Sequence, residues 1–370
     1  MNSACTFGIE EEYLLVSLDS GRVLARPTSA VIDLCRQVLG AHFAQEMFQS
    51  QIEVASPVFG SLAQAGEFLG QSRQRLLQVL AGEGVGVIAV GSHPMGGWRQ
   101  QLPADEAHFR QLFEDYQQVA RRSLLCGLHV HVGVAPGHDR IKLINQLLPW
   151  IPLLLLLSAS SPFWEGQPTG YQSYRQVACG EWPHMGLPQR LGDWQAYERY
   201  LALLKRTGSL REGNDCWWTI RPSRHYPTVE LRIADACPRL EDALCIAGLF
   251  RCMVEHYLHT PEPTPLTREQ YWIAEQNYWR AMRHGRHGQY ICLGNQGQGS
   301  ALQWLAQARA RFEVRPCDSE RSFDRAEAIL RDGTGADQQL ADHARCQQRP
   351  EQALLAVVKG LLEQMSEARL

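Results

Sequence analysis

Lysine is scarce in this chain of 370 residues, which contains only Lys142, Lys205 and Lys359. None of the three completes a GxxxxGK segment, so the sequence excludes a P-loop, in which a lysine reaches the phosphates of a bound nucleotide. Any phosphate-binding site in this protein must therefore use arginine side chains, backbone amides or metal ions.

An excess of charge of either sign is also lacking. The chain has 36 basic and 39 acidic residues, for a net charge of -3. A general nucleic-acid or membrane binder carries a basic excess, so neither kind of partner is expected. The eleven cysteines are an odd number and include no CxxC pair, which argues against a disulfide framework and against a zinc knuckle. Free or buried thiols in a reducing cytosol explain them.

Long hydrophobic runs are missing as well. The most apolar segment, Leu147–Leu157, is too short to cross a bilayer and contains Pro149 and Pro152. It predicts a buried helix. The first residues show no basic stretch followed by an apolar run, so no signal peptide is expected and the predicted location is cytoplasmic.

The first 235 residues mix strand-like and helix-like segments, and the pattern becomes helical from about Arg239. The periodicity predicts helices at Leu62–Leu80, Ala107–Leu125, Ile141–Leu148, Trp194–Lys205, Leu240–Leu258, Arg268–His284, Ala301–Val314, Phe323–Arg331 and Glu351–Met365. The TPEPTPL segment at 260–266 predicts a loop between two helices. These elements favour one α+β domain over residues 1–370, with an antiparallel sheet, helices packed on one side and a helical C-terminal part.

Four predicted strands repeat the same two-faced pattern, in which one face is apolar and the other is polar. Successive side chains of a strand point to opposite faces. The polar faces carry Glu10 and Glu12; Gln49, Gln51 and Glu53; His129 and His131; and Thr228, Glu230 and Arg232. Glu11 is the exception, because it lies on the apolar face of the first strand. If the strands pair in one sheet, four carboxylates, two imidazoles and one guanidinium converge.

Packing so many carboxylates together costs free energy unless cations neutralise them. Mg²⁺ prefers oxygen ligands and also bridges nucleotide phosphates. The paired imidazoles of the HxH segment suit Zn²⁺ equally well. Each polar face taken alone is typical of an ordinary solvated strand, and it is the repetition over four strands that favours a functional site.

Several segments at and around these strands follow a recognisable order. They are GIEEEYLLV at 8–16, QIEVASPV at 51–58, GSHPM at 91–95, GLHVHVGV at 127–134, SASSPFWEGQPTGYQSYR at 158–175, WWTIRPS at 217–223, TVELRIAD at 228–235 and NYWRAMRHG at 277–285. In this order and spacing the sequence resembles the glutamate–cysteine ligase type 2 family, also called carboxylate–amine ligases. The resemblance covers about residues 5–290, and residues 291–370 are expected to be a helical extension of the same domain.

The resemblance implies a fold related to glutamine synthetase and the guanido kinases, with a curved antiparallel β-sheet and helices outside. It implies an ATP-dependent ligase that uses Mg²⁺ (or Mn²⁺) and phosphorylates a carboxylate before an amine attacks the acyl phosphate. The expected substrates are an amino-acid carboxylate such as glutamate and an amine such as cysteine. The sequence leaves open whether the protein forms a homodimer.

Site residues follow from the same resemblance. It places Mg²⁺ at Glu10, Glu12, Glu53, His129 and Glu230, and it places Arg232 beside the transferring phosphate. Arg175 is expected to contact a substrate carboxylate or phosphate, and Arg221 to play a similar part. His93 and His131 are candidates for a substrate contact or the general base. Two positions depart from the family pattern, since Thr219 and Gln276 stand where acidic residues are expected.

Two other functions stay open at this point. An amidohydrolase-type hydrolase could use the HxH segment to bind Zn²⁺, although no βα alternation runs through the chain. A guanido-type phosphotransferase would stop after phosphoryl transfer. Metal content distinguishes the hydrolase from a ligase, since the hydrolase would bind Zn²⁺ and the ligase Mg²⁺. The product distinguishes the phosphotransferase, since only a ligase forms an amide.

Overall fold

The computed structural model describes residues 5–211, 214–259, 265–292, 294, 297–312, 318–346 and 350–367. Its strands are β1 Phe7–Ser17, β2 Phe43–Gln45, β3 Gln51–Ala55, β4 Val85–Ile88, β5 Gly127–Gly133, β6 Phe163–Trp164, β7 Gln167–Pro168, β8 Ile220–Pro222, β9 Thr228–Asp235, β10 Gln289–Ile291 and β11 Gln298–Ser300. Its α-helices are α1 Ser29–Leu39, α2 Leu62–Ala81, α3 Ala107–Tyr116, α4 Gln118–Arg122, α5 Arg140–Leu147, α6 Ile151–Ser158, α7 Tyr174–Cys179, α8 Trp194–Arg206, α9 Leu240–Leu258, α10 Arg268–His284, α11 Ala301–Phe312, α12 Asp318–Asp332, α13 Gly335–Arg345 and α14 Pro350–Ser366.

One seven-stranded sheet organises the molecule. Its order is β2-β3-β1-β5-β9-β8, and β4 pairs with the second half of β1. All of these pairings are antiparallel. The four strands expected to share a two-faced pattern are therefore neighbours in the order β3-β1-β5-β9. The α+β class with an antiparallel sheet is confirmed, and no parallel barrel of the amidohydrolase type is present among the described residues.

Helices cover the apolar face of the sheet. The side chains of Ile52, Val130 and Leu231 are fully buried, and α9, α6 and α2 pack against the strands. Burying such side chains removes apolar surface from water, which is the main favourable term in folding. The opposite face of the sheet carries the polar side chains of the predicted pattern.

Most predicted helices are present, and their differences from the prediction have local causes. The helix expected over Ala107–Leu125 is broken at Gln117, whose φ of 48° lies in the left-handed region, so α3 and α4 are separate. Residues 151–157 of the apolar segment lie in α6, a helix whose eight residues are all buried, and Leu147 ends α5. No single helix of the described chain is long and apolar enough to cross a membrane; α5 and α6 pass that test only as a pair, bent by 61°. The loop predicted at 260–266 lies mostly outside the described residues.

The C-terminal helices contact the segment that carries Arg175. Gln339 Nε2 of α13 donates to Ser160 O at 2.6 Å, and Ala336 N donates to Ala159 O at 2.8 Å. Helix α12 packs against α9, and α14 packs against α13, β4 and α2. Residues of the region that showed no sequence motif thus brace the start of the 158–175 segment.

Candidate active site

The strand register brings the polar side chains together. Glu12 is paired with Glu53 across β1 and β3, and Glu10 is paired with His129 across β1 and β5. His131 is paired with Glu230 across β5 and β9. Directly opposed residues of antiparallel strands have side chains on the same face, close enough to interact. The polar faces of four strands therefore form one continuous surface.

Two overlapping groups on this surface have the geometry of a cation site. In the first, one ligand atom each from Glu10, His129 and Glu230 lies within 4.8 Å of the others. The same holds for Glu12, Glu53 and His129. The structure thus brings together all five residues expected to hold Mg²⁺. His129 belongs to both groups, and a neutral imidazole has one lone pair, so the ring can serve one cation at a time.

The environment of His129 keeps its ring neutral. Burial, reinforced by the nearby charge of Arg232, lowers the pKa of His129 below its usual value, although Glu10 and Glu12 act in the opposite direction. Nδ1 lies 3.1 Å from Glu10 Oε2. Nε2 is buried, has no hydrogen-bond partner, and lies 3.4 Å from Glu12 Oε1. A ring that donates through Nδ1 to Glu10 directs the Nε2 lone pair towards Glu12, which is the usual arrangement of a metal-binding histidine.

Glu10 and His131 form the outer part of the surface. His131 Nδ1 lies 3.0 Å from Thr228 Oγ1, and its Nε2 lies 3.2 Å from Glu10 Oε1 without hydrogen-bond geometry. Burial raises the pKa of the Glu10 carboxyl, but the interactions with His129 and His131 outweigh burial and hold it well below its usual value. Glu10 is therefore ionised at neutral pH.

Two arginines bind Glu230. Arg221 donates through Nε at 2.8 Å and through Nη2 at 3.1 Å, and Arg232 donates to Glu230 Oε1 as well. Burial raises the pKa of Glu230, but Arg232 and Arg221 outweigh it, and the pKa falls to about 2. Arg232 Nη1 also lies 3.4 Å from His129 Nδ1. Arg221 and Arg232 are thus both at the site, side by side on Glu230.

Glu46 belongs to the site, and the sequence analysis missed it. It follows β2 in the hairpin to β3 and interacts with the carboxyl group of Glu53. Burial, together with the charge of Glu12, raises its pKa to about 8. The pKa of Glu53 is also raised well above its usual value, by burial and by the charges of Glu10, Glu46 and Glu12. The carboxyl groups of Glu12, Glu46 and Glu53 are therefore crowded together, and those of Glu12 and Glu53 lie beside His129.

Arg175 is the second residue of α7 and lies at the other edge of the same group. Its side chain is buried, and Nη1 donates to Ala234 O at 3.1 Å. A Cβ added to Gly127 would overlap with Arg175 Nη2 and lie 3.0 Å from His129 Nε2. Both nitrogens therefore border the space above Gly127, whose own N–H donates to Glu12 at 2.7 Å.

His93 belongs to neither of the two groups that could hold a cation. Its Nε2 donates to Gly21 O at 3.0 Å, and its Nδ1 accepts from Met95 N at 3.2 Å. Burial lowers its pKa to about 4. Both ring nitrogens are used by the backbone, so His93 stabilises the fold around GSHPM and has no nitrogen left for a substrate.

The two departures from the family pattern lie in different environments. Thr219 precedes β8 and shares the site face with Arg221; its hydroxyl is buried and has no hydrogen-bond partner. Gln276 is exposed on α10. The buried Trp218 stacks against Tyr200.

Comparison with known proteins decides the family. The model of glutamate–cysteine ligase family 2 matches residues 6–359. The chain belongs to glutamate–cysteine ligase family 2. A Pseudomonas putida protein named "Putative glutamate–cysteine ligase 2" is 62% identical over 337 residues, which are 91% of this chain and 92% of that protein. A Pseudomonas entomophila protein of the same name is 56% identical over 360 residues, which are 96% of this chain and 95% of that protein.

Solved structures share the fold of this family member. A glutamate–cysteine ligase from Francisella tularensis, solved in complex with AMP, superposes with a TM-score of 0.71 at 14% identity and covers 99% of this chain and 90% of its own. A bifunctional glutathione synthetase from Pasteurella multocida superposes with a TM-score of 0.68 at 16% identity. The match covers 99% of this chain and 53% of that protein. The family assignment confirms the predicted resemblance and the predicted enzyme class, an ATP-dependent ligase that forms a carbon–nitrogen bond.

Proposed function

We propose that the protein joins the side-chain carboxylate of an amino acid, glutamate, to an amine such as cysteine, through an acyl phosphate formed from ATP. The observation that carries this proposal is the cluster of carboxylates around His129, next to Arg232 and Arg175, on one face of the sheet. The substrates are those in the names of the family and of its Pseudomonas members.

An ionised carboxylate is a poor electrophile, because its negative charge and resonance repel a nucleophile. Phosphorylation turns one oxygen into a leaving group, so the first step is a phosphoryl transfer. In such a transfer the protein mainly positions the reactants and stabilises charge on the transferring oxygens. The amine must then meet the acyl carbon in a site from which water is excluded, because acyl phosphates hydrolyse.

The residues on the sheet fit Mg²⁺. The Nε2 atom of His129 is buried without a partner beside Glu12, and burial together with the charges of neighbouring carboxylates raises the pKa values of Glu46 and Glu53. We assign Glu10, Glu12, Glu53, His129 and Glu230 as the residues that hold the metal, with Glu46 beside them. Mg²⁺ held by these residues would neutralise charge on the nucleotide phosphates.

Arg232 is assigned to the transferring phosphoryl group. Its guanidinium lies between Glu230 and His129 and can donate two parallel hydrogen bonds to phosphate oxygens. Arg221 holds Glu230 through two nitrogens. Glu230 therefore keeps a charge partner when Arg232 turns towards a phosphate.

The amine must lose a proton when it attacks. Among the residues predicted as bases, His93 is excluded by its two backbone hydrogen bonds. His131 lies at the partly open edge of the cluster, and its Nε2 has no hydrogen-bond partner. We assign this nitrogen as the proton acceptor, in agreement with the common role of histidine in general base catalysis.

A panel of amino-acid carboxylates and amines tests the function directly. The purified protein is incubated with ATP and Mg²⁺, and both ADP release and product mass are measured. We expect ADP release that requires glutamate, an amide product when cysteine or a related amine is present, and complete loss of both in excess chelator.

Other outcomes identify the alternatives. A phosphorylated product that never becomes an amide would point to a guanido-type phosphotransferase. Amide hydrolysis without ATP, with tightly bound Zn²⁺, would point to a hydrolase. ADP release that no amino-acid carboxylate stimulates would contradict the proposed substrates.

A further inference from the structure

Three sequence motifs meet at the buried carboxylate of Asp235, to which the proposed chemistry gives no role. Asp235 is the last residue of β9, and its side chain is fully buried. Its Oδ2 accepts hydrogen bonds from Ser160 N at 3.0 Å and Ser161 Oγ at 2.7 Å, and its Oδ1 accepts one from Ser173 Oγ at 2.9 Å. One carboxylate thus holds both ends of the 158–175 segment.

These hydrogen bonds continue to Arg175. The Ser161 hydroxyl donates to Asp235 and accepts from Arg175 N at 3.0 Å. The guanidinium of Arg175 lies 3.9 Å from Asp235 Oδ1 and donates to the carbonyl of Ala234, the residue before Asp235. Asp235 therefore fixes the backbone of Arg175 through a serine and attracts its side chain by charge.

Two glycines make this close packing possible. A Cβ on Gly91, in the GSHPM motif, would lie 2.7 Å from Asp235 Oδ2 and 2.9 Å from Ser161 Cβ. Gly91 N also donates to Ser160 Oγ at 2.9 Å. Gly127, the register partner of Asp235 in β5, leaves the space that Arg175 Nη2 fills beside His129. The GSHPM, SASSPFWEGQPTGYQSYR and TVELRIAD motifs are thus joined at one point.

We propose that Asp235 is a positioning residue for ligation, and that it acts by holding Arg175 against the Glu12–Glu53–His129 group. The proposal rests on the proposed function of Arg175 as a contact for the substrate carboxylate or phosphate. A buried network in which every member is hydrogen-bonded is rigid, and displacement of a substrate-binding group by about 1 Å can lower turnover on the order of 10²-fold.

The substitution Asp235→Asn separates charge from shape. The amide oxygen can keep the bonds from Ser160 N and Ser161, and the Ser173 hydroxyl can rotate to accept from the new NH₂ group. The folded structure should therefore persist, while the charge that attracts the Arg175 guanidinium is lost. Ser173→Ala is a second variant, which keeps the charge and removes one bond of the clamp.

A double-mutant cycle tests whether Asp235 acts through Arg175. We expect Arg175→Ala to reduce turnover on the order of 10²-fold and Asp235→Asn to reduce it about tenfold. The double variant should be no slower than Arg175→Ala alone, because a residue that acts only through Arg175 has no effect once Arg175 is gone. Independent effects would multiply and give a loss on the order of 10³-fold, and that result would overturn the proposal.

The matched control is Asp242→Asn, since Asp242 is also buried and paired with arginines, Arg239 and Arg325, but lies on α9. Its effect on turnover should stay within about twofold and should add to that of Arg175→Ala. If Asp242→Asn and Asp235→Asn were coupled to Arg175→Ala to a similar extent, Asp235 would contribute only to general stability. That result would overturn the proposal.

Crystal structures of Asp235→Asn and Ser173→Ala keep this test separate from the proposed function. We expect the Arg175 guanidinium to leave the carbonyl of Ala234 in Asp235→Asn. An Arg175 that is unmoved in both variants would overturn the positioning role even if the wild type ligates. A wild type that releases no ADP with any carboxylate would overturn the proposed function instead, and the position of Arg175 in the two variants would still decide whether Asp235 holds it.

Discussion

The carboxylates on the two faces of β1 have opposite electrostatic environments. On the helix-covered face, Glu11 accepts two hydrogen bonds from Arg73, at 2.6 and 3.1 Å, and another from Tyr13. Arg73 donates its remaining hydrogen bonds to the carbonyls of Cys237 and Pro238, so this cluster is complete. On the open face, Glu12, Glu46 and Glu53 crowd one another, and a histidine nitrogen beside them has no partner.

This difference separates the structural carboxylate of Glu11 from the carboxylates of Glu12, Glu46 and Glu53. The charge of Glu11, neutralised by Arg73, holds together β1, α2 and the residues after β9. A group of carboxylates with insufficient positive charge stores unfavourable energy, which a bound cation can relieve. The sequence shows three consecutive glutamates, and only their partners reveal that the middle one differs in role.

The largest expected effect is a loss of stability when the ion pair between Arg73 and Glu11 is broken. Arg73→Met leaves Glu11 charged and buried without a positively charged partner, and we expect the free energy of unfolding to fall by about 3–5 kcal/mol. Urea unfolding measures this change. Glu11→Gln combined with Arg73→Met should recover part of the loss, because no charge is then left buried. A loss below about 1 kcal/mol in the single variant would contradict the structural role of the pair.

The next effect is on catalysis at the open face. Arg232→Lys keeps the positive charge but loses the planar fork that can bind two phosphate oxygens. We expect turnover to fall on the order of 10²- to 10³-fold with an unchanged thermal midpoint, measured on the same preparation. Turnover equal to that of the wild type would assign Arg232 to pairing with Glu230 alone.

The smallest effect concerns the pH dependence of stability. The pKa of Glu46 is about 8 in the folded protein against a usual value of 4.5. Between these values the folded state holds a proton that the unfolded state has released, so this group lowers stability as the pH rises from about 5 to 8. Glu46→Gln cannot titrate, and we expect a flatter profile of unfolding free energy over this window in metal-free protein. Parallel profiles for the two proteins would show that Glu46 is not buried among carboxylates.

Alternation along β1, β3, β5 and β9 was enough to predict which side chains share a face, because the period of a strand is two. That these strands share one sheet was implied by the family resemblance alone, since alternation carries no information about which strands adjoin. Glu46 was missed because β2 has only three residues and Glu46 follows it in a turn. A signal was available in the two carboxylates, Glu46 and Glu53, that flank the short hairpin.

Partners that are distant in sequence were also beyond prediction. Arg73 is 62 residues from Glu11, and nothing in the helical periodicity of α2 indicates that this arginine points into the core. The sequence showed that Glu11 lies on the apolar face, but its structural role depends on its hydrogen bonds with Arg73 and Tyr13. Asp235 was likewise hidden, because its three serine partners come from a segment with no regular period.

The most direct test of the central claim, that the open face binds the metal used with ATP, is anomalous diffraction from crystals soaked with Mn²⁺ and a non-hydrolysable ATP analogue. We predict a Mn²⁺ peak about 2–2.3 Å from carboxylate oxygens of Glu12 and Glu53 or of Glu10 and Glu230. The nucleotide phosphates should lie on the same face, within reach of Arg232. Nucleotide bound with no Mn²⁺ peak among these residues, or with the metal elsewhere on the molecule, would contradict the account.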